Sequence, residues 1–148
     1  MNLPKVSDVM QKLLYLFLVF FLFGNTINLS AQKETSTLKV KLTNFKKNGH
    51  MVRVGLCNTP DDWLKTGIDG KTALVKNGKA TVVFENLPKG NYALSSYYDE
   101  NGNEELDTGF LGIPNEPYAF SNNPSTMFGP PKWEKSMIVI KEGTQEIN

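Results

Sequence analysis

From Asp99 to Asp107 the chain reads Asp-Glu-Asn-Gly-Asn-Glu-Glu-Leu-Asp. Asp99, Asn101, Asn103 and Asp107 put side-chain oxygens at positions 1, 3, 5 and 9, and Glu105 offers a backbone carbonyl at position 7. A tight loop wraps a hard cation with this spacing, and Ca²⁺ is the ion it suits. Mg²⁺ demands near-ideal octahedral geometry, and transition metals want imidazole or thiolate, which the loop lacks. An EF-hand is excluded, because its Gly at position 6 and Glu at position 12 are here Glu104 and Phe110. Two in-register carboxylates imply weak binding, roughly 10⁻⁴ to 10⁻³ M. Glu116, brought back by Pro114 and Pro117, would add a third carboxylate, while Glu100 and Glu104 are expected to face water. The bland alternative is a solvated acidic turn whose Asn and Gly serve turn geometry alone.

A second chemistry belongs to the aromatic residues. Tyr97, Tyr118, Phe120 and Trp133, with Trp63, and the hydrogen-bonding neighbours Ser121, Asn122 and Asn123, form a candidate ligand-binding set. Clustered on one exposed face, such rings would bind a glycan or a peptide; dispersed, they would close the ends of the fold. Catalysis has less to work with. His50, the one His, sits beside a turn with no argued Ser or Cys nucleophile, and Asp99 and Asp107 lie in one loop rather than across a sugar cleft. No catalytic residue is assigned, and a hydrolase is the weakest of the three readings. Cys57 on a strand reads as a small core filler.

These groups must be positioned by one modest domain. The chain has 148 residues, and its near-neutral balance of 16 Lys and Arg against 15 Asp and Glu argues against nucleic-acid binding, while its one Cys excludes an intrachain disulfide framework. Lys5 and Lys12, the apolar run Leu13 to Phe23 and the polar stretch ending at Ala31 read as a secretory signal peptide over residues 1–31. The apolar run is too short to span a bilayer, so the expected product is exported, periplasmic or secreted, with no membrane span after cleavage. Residues 32–148 then form the domain. Its charge is segregated: residues 32–89 hold 11 Lys and Arg against 5 acids, whereas residues 90–123 hold six acids and no Lys or Arg.

Periodicity is two wherever a pattern exists, which predicts an all-β, antiparallel sandwich of six or seven strands, Ig-like or transthyretin-like. Leu38, Val40 and Leu42 alternate with polar residues, and Met51 to Asn58 is read as the hairpin partner across Asn48-Gly49. A second hairpin is expected at Asn77-Gly78, between Thr72 to Lys76 and Lys79 to Glu85, with Val82 and Phe84 inward. Thr59-Pro60-Asp61-Asp62 predicts one short helical turn. Asn91 to Tyr98 and Ser136 to Lys141 complete the strands.

The spacing Phe84, Leu87-Pro88, Gly90, Tyr92 resembles the turn of transthyretin-like sandwiches. Over Leu38 to Ile140 the chain resembles the bacterial DUF2141 family of small secreted proteins. The resemblance rests on Val52-Arg53-Val54-Gly55-Leu56, Phe84-Glu85-Asn86-Leu87-Pro88, Asp99-Glu100-Asn101-Gly102-Asn103 and Leu106-Asp107-Thr108. Phe110-Leu111-Gly112-Ile113-Pro114, Phe120-Ser121-Asn122-Asn123 and Phe128-Gly129-Pro130-Pro131 extend it. It implies a secreted sandwich and transfers no activity. Where members often carry His, Gly and Asn, this chain has Tyr98, Glu104 and Gly109. The acidic loop also resembles the calcium loop of B-type repeats in bacterial surface adhesins. The expected protein is an exported, non-catalytic structural or accessory module of the cell envelope. It would be a monomer holding one Ca²⁺ that pins Thr108 to Lys135, its partner an envelope protein or a glycan.

Overall fold

The computed structural model describes residues 10–11, 35–65 and 67–148. The chain divides into a unit of Met1–Gln32, of which only residues 10 and 11, both helical, are described, and a unit of Lys33–Asn148. The signal-peptide reading therefore lies outside the described residues. Among these, no helix is long and apolar enough to cross a membrane.

The second unit is nearly all strand: β1 (Ser36–Leu42), β2 (Met51–Cys57), β3 (Asp69–Leu74), β4 (Ala80–Leu87), β5 (Gly90–Asp99), β6 (Tyr118–Phe120), β7 (Met137–Ile140) and β8 (Gly143–Ile147). A three-stranded sheet runs β4-β1-β8, and a five-stranded sheet runs β3-β2-β5-β6 with β7 also on β5. Alternation explains the core. Leu38 and Val40 of β1, Val52, Val54 and Leu56 of β2, Val82 and Phe84 of β4, and Tyr92 and Leu94 of β5 all turn into the space between the sheets.

Two pairings differ from the sequence reading. β1 and β2 are not a hairpin: β1 pairs with β4 and β8, whereas β2 pairs with β3 and β5. The Asn77-Gly78 turn does form, with φ of 51° and 70° and reciprocal bonds between Lys76 and Lys79, but its arms part into different sheets after that one bridge. Both turns thus carry the chain from one sheet to the other, and they lean together. The Gly78 amide donates to Asn48 Oδ1 (2.8 Å), and the Gly49 amide to the Val75 carbonyl (3.0 Å).

The Thr59 segment makes hydrogen-bonded turns, with Thr59 Oγ1 accepting from the Asp62 amide (3.2 Å), but no helix. The Leu-Pro turn is as expected: Leu87 and Tyr92 are buried, and the Tyr92 hydroxyl donates to the Pro88 carbonyl (2.8 Å). An eighth strand, β8, lies parallel to β1, and a single helical turn, α1 (Trp133–Ser136), precedes β7.

Candidate functional site

β5 and β2 carry the acidic loop. Because Arg53 stands opposite Tyr97 in the β2–β5 ladder, it projects on the outer face of the five-stranded sheet, the face that also receives Asp99. Asp99 is 1% exposed, and its carboxylate is fully engaged. Oδ1 accepts from the Gly102 amide (2.7 Å), and Oδ2 accepts from the Glu104 amide (3.1 Å) and Arg53 Nε (3.0 Å). Farther along, Asn101 Nδ2 (2.6 Å) and Asn103 Nδ2 (3.1 Å) both donate to Asp107. The Asn101 and Asn103 oxygens accept the amides of Asn103 and Glu105. The loop is thus a chain of side chain to backbone turns, the role for which Asn and Asp are best suited.

Glu116 does come back to the loop, as the prolines implied, but as a buried latch: Oε1 accepts the Glu100 amide (2.8 Å) and Oε2 the Asp107 amide (3.2 Å). Glu104 faces water as expected while its carboxylate meets Arg53 Nη2 (3.1 Å), whereas Glu100 is half-buried and pairs with Lys47 (2.8 Å). Glu105 is exposed. Glu104 holds φ at 70°, the left-handed region where Gly is favoured, and its bonds to Asp99 and Arg53 offset that strain. Among the described residues, no group of three or more His, Cys, Asp or Glu side chains is placed to hold a metal ion. The loop therefore brings Asn101 and Asn103 onto Asp107, whereas Asp99 is held apart from them by Arg53 and the Gly102 and Glu104 amides.

Burial pushes the Asp99 carboxyl up, but the Arg53 hydrogen bond, the Gly102 and Glu104 amides and the Arg53 charge outweigh it and hold the group below its ordinary value of 3.8. A depressed carboxylate contributes stability that is present above the unfolded value and is lost as pH falls through the folded one. Acid denaturation should therefore draw on Asp99 below about pH 4. Asp99→Asn is expected to flatten the acid limb of stability against pH; limbs of equal slope in denaturant titrations would show no coupling. Burial also raises the neighbouring Tyr97 phenol, against a lowering by Arg53. Its hydroxyl donates to the Glu104 carbonyl (2.6 Å).

The aromatic residues form a row on that same outer face. Tyr118 pairs with Tyr97, and Phe120 with Ser95. Phe120 lies 5.8 Å from Tyr118 and 5.8 Å from Trp63, and Trp63 lies 5.8 Å from Trp133, ring centre to ring centre. Tyr118 is exposed, and Tyr97, Phe120 and Trp63 are half-buried. Trp133 departs from the expected exposed ligand: it is buried with Cys57 and Ala93, where it braces Trp63. Trp63 Nε1 donates to the Pro131 carbonyl (2.8 Å). Asn122 is not a free hydrogen-bonding neighbour, because its Nδ2 donates to the Met137 carbonyl (2.8 Å). Cys57 is buried as a core filler, and the exposed His50 ring meets Tyr98 edge-on at 5.8 Å.

On the other side of β6, between the sheets, lies a cleft of about 820 Å³. Sequence reasoning missed it, since a gap between two sheets depends on which strands pair. A family model described as "Uncharacterized protein conserved in bacteria (DUF2141)" matches residues 40–148. No curated protein and no solved structure is matched.

Proposed function

The chain belongs to the DUF2141 family, and from that premise we propose that it is an exported, non-catalytic binding module of the cell envelope. Its ligand, a glycan or a peptide, would lie on the outer face of the five-stranded sheet. One observation carries this reading: Tyr118, Phe120 and Trp63 form a continuous, partly exposed row, braced from below by Trp133. Rings fixed by their neighbours lose little freedom on binding, and they present apolar faces beside polar tips.

Trp63 is a built-in reporter for such a ligand. A panel of surface polysaccharide fragments and random peptides should contain members that shift its fluorescence saturably. Tyr118→Ala is expected to weaken those members by more than about 1 kcal/mol, roughly fivefold. A panel without a binder, or a binder indifferent to Tyr118→Ala and Phe120→Ala, would overturn the reading.

A second reading keeps the loop from Asp99 to Asp107 as a weak Ca²⁺ site that pins the segment from Thr108 to Lys135. It is favoured by the convergence of Asn101 and Asn103 on Asp107. Against it stands the Arg53 guanidinium, already on Asp99. A calcium titration of the melting temperature, with Mg²⁺ as control, decides the matter. At 100 times its Kd, an ion that binds only the folded state adds about 2.7 kcal/mol, and Asp107→Ala should abolish that gain. No rise up to several millimolar would remove the site.

A further inference from the structure

The aromatic row borders a bare strip of the outer face. Across the strands, Gly70 of β3 stands opposite Gly55 of β2, Gly55 opposite Ser95 of β5, and Ser95 opposite Phe120 of β6. Those three inter-strand spacings span about 14 Å, and no attached side chain exceeds that of Ser95 until the Phe120 ring. The fold itself does not require either glycine. Their φ angles lie outside the left-handed region, and the β2 ladders carry no bulge there. Within 4 Å, a Cβ on Gly55 would touch only Ser95, at 3.4 Å from Oγ, and one on Gly70 only the Val54 carbonyl, at 4.0 Å. At Gly67, by contrast, a Cβ would run into the Leu56 carbonyl at 2.8 Å. Glycine inside a strand weakens it and lets a ligand approach the backbone closely.

The two flanks of the strip are unlike. On one, Trp63 packs over Cys57, Ala93 and Trp133 and meets Phe120. On the other, Arg53 and Tyr97 reach away from the glycines, toward Asp99 and Glu104. Arg53 is the one cation at the outward positions of β2, β3, β5, β6 and β7, and those two carboxylates already neutralise it. An anionic ligand therefore finds no open positive charge. β2 is paired on both sides from Met51 to Leu56, so its main-chain groups are engaged. A peptide laid across the strip would leave its own amides without partners, and a lipid chain would find an apolar wall on one flank only. A sugar ring escapes both difficulties. It can set a C–H face on the glycines and the aromatic rings while its hydroxyls stay at the rim, in water or on Ser95 Oγ.

We propose that the ligand of the aromatic row is a neutral oligosaccharide, one ring of which lies on Gly55 and Gly70 and abuts Phe120 and Trp63. The inference rests on the reading of that row as the binding face; it adds the class of ligand and the place where a ring sits.

Titration of the protein with cellotriose, maltotriose and mannotriose, followed by tryptophan emission, tests it, with trigalacturonate as the acidic control of equal length. At least one neutral trisaccharide should shift the emission saturably, and trigalacturonate should bind at least tenfold more weakly. Gly55→Val fills the strip with a residue that suits a strand, so it should leave the melting temperature no lower than that of the unmodified protein and weaken the sugar at least tenfold. Gly70→Thr, on the edge strand, is the second variant and should weaken the same sugar in the same direction whether or not Gly55→Val folds. No response to any neutral trisaccharide, equal binding of trigalacturonate, or a sugar that tolerates both substitutions would overturn the inference. Peptides that bind and are lost with Tyr118→Ala, where no sugar binds, would overturn it and leave the aromatic row standing. Silence from sugars and peptides alike would overturn both.

Discussion

Replacing Trp133 with alanine is expected to destabilise the domain by about 3–5 kcal/mol, which lowers its melting temperature by roughly 10–20 °C. Trp133 is 8% exposed and forms a small core on the outer face of the five-stranded sheet with Cys57 and Ala93, separate from the core between the sheets. Its loss opens a cavity there and takes away the edge-on partner of Trp63. Trp63 in turn contacts Phe120, so the damage reaches the aromatic row. Denaturant unfolding should show the full loss, and the Trp63 emission should move to the red as water enters. Trp133→Phe keeps a ring in place and is expected to recover more than half of the loss. A loss below 1 kcal/mol for the alanine variant would mean that the ring is not packed as described.

Glu116→Ala is the second large effect. It removes the one side chain that accepts the amides of both Glu100 and Asp107, so the two ends of the acidic loop lose their common latch. Leaving buried donors unpaired costs about 1–3 kcal/mol each, and partial access of water at the loop brings the expected total to about 2–3 kcal/mol. The signature is local. Hydrogen exchange at Glu100 and Asp107 should accelerate far more than at Leu94 or Leu56, in the core. Glu116→Gln keeps one oxygen but sets its amide nitrogen against the other donor, so it should protect only one of the two positions. Uniform acceleration across the sheets would show a general loss of stability instead.

The period-two pattern disclosed the fold class, because residues such as Val52, Val54 and Leu56 alternate in and out wherever a strand has one buried face. Strand partners were less legible. Asn48-Gly49 and Asn77-Gly78 have the composition of hairpin turns, but the same backbone freedom serves a chain that crosses between sheets. The arbiter is the packing of the two turns on each other, 30 residues apart in sequence. β8 was invisible for another reason: Gly143 to Glu146 carry almost no apolar signal, and the strand is held by its backbone and by Glu146 against Lys39 and Lys41. In the acidic loop, the spacing of Asp99, Asn101, Asn103 and Asp107 was readable and the return of Glu116 could be argued from its prolines. Arg53, from a strand 46 residues earlier, could not. The aromatic row was foreseen as a set of residue types, but composition does not say which ring is the brace, and Trp133 proved to be it.

The parallel contact of β1 with β8 bears on the order in which the domain forms. Ser36 Oγ donates to the Lys141 carbonyl (2.6 Å), a closure across 105 residues, and β1 is the middle strand of its sheet. While the chain is being synthesised, β1 emerges before the other described strands and waits with one edge bare until β8 follows. Closing so long a loop adds little entropy cost over a shorter one, but such non-local pairing makes the search slow. Completion of the three-stranded sheet is thus a late event, and a nascent chain lacks the clasp on β1 until β8 is made.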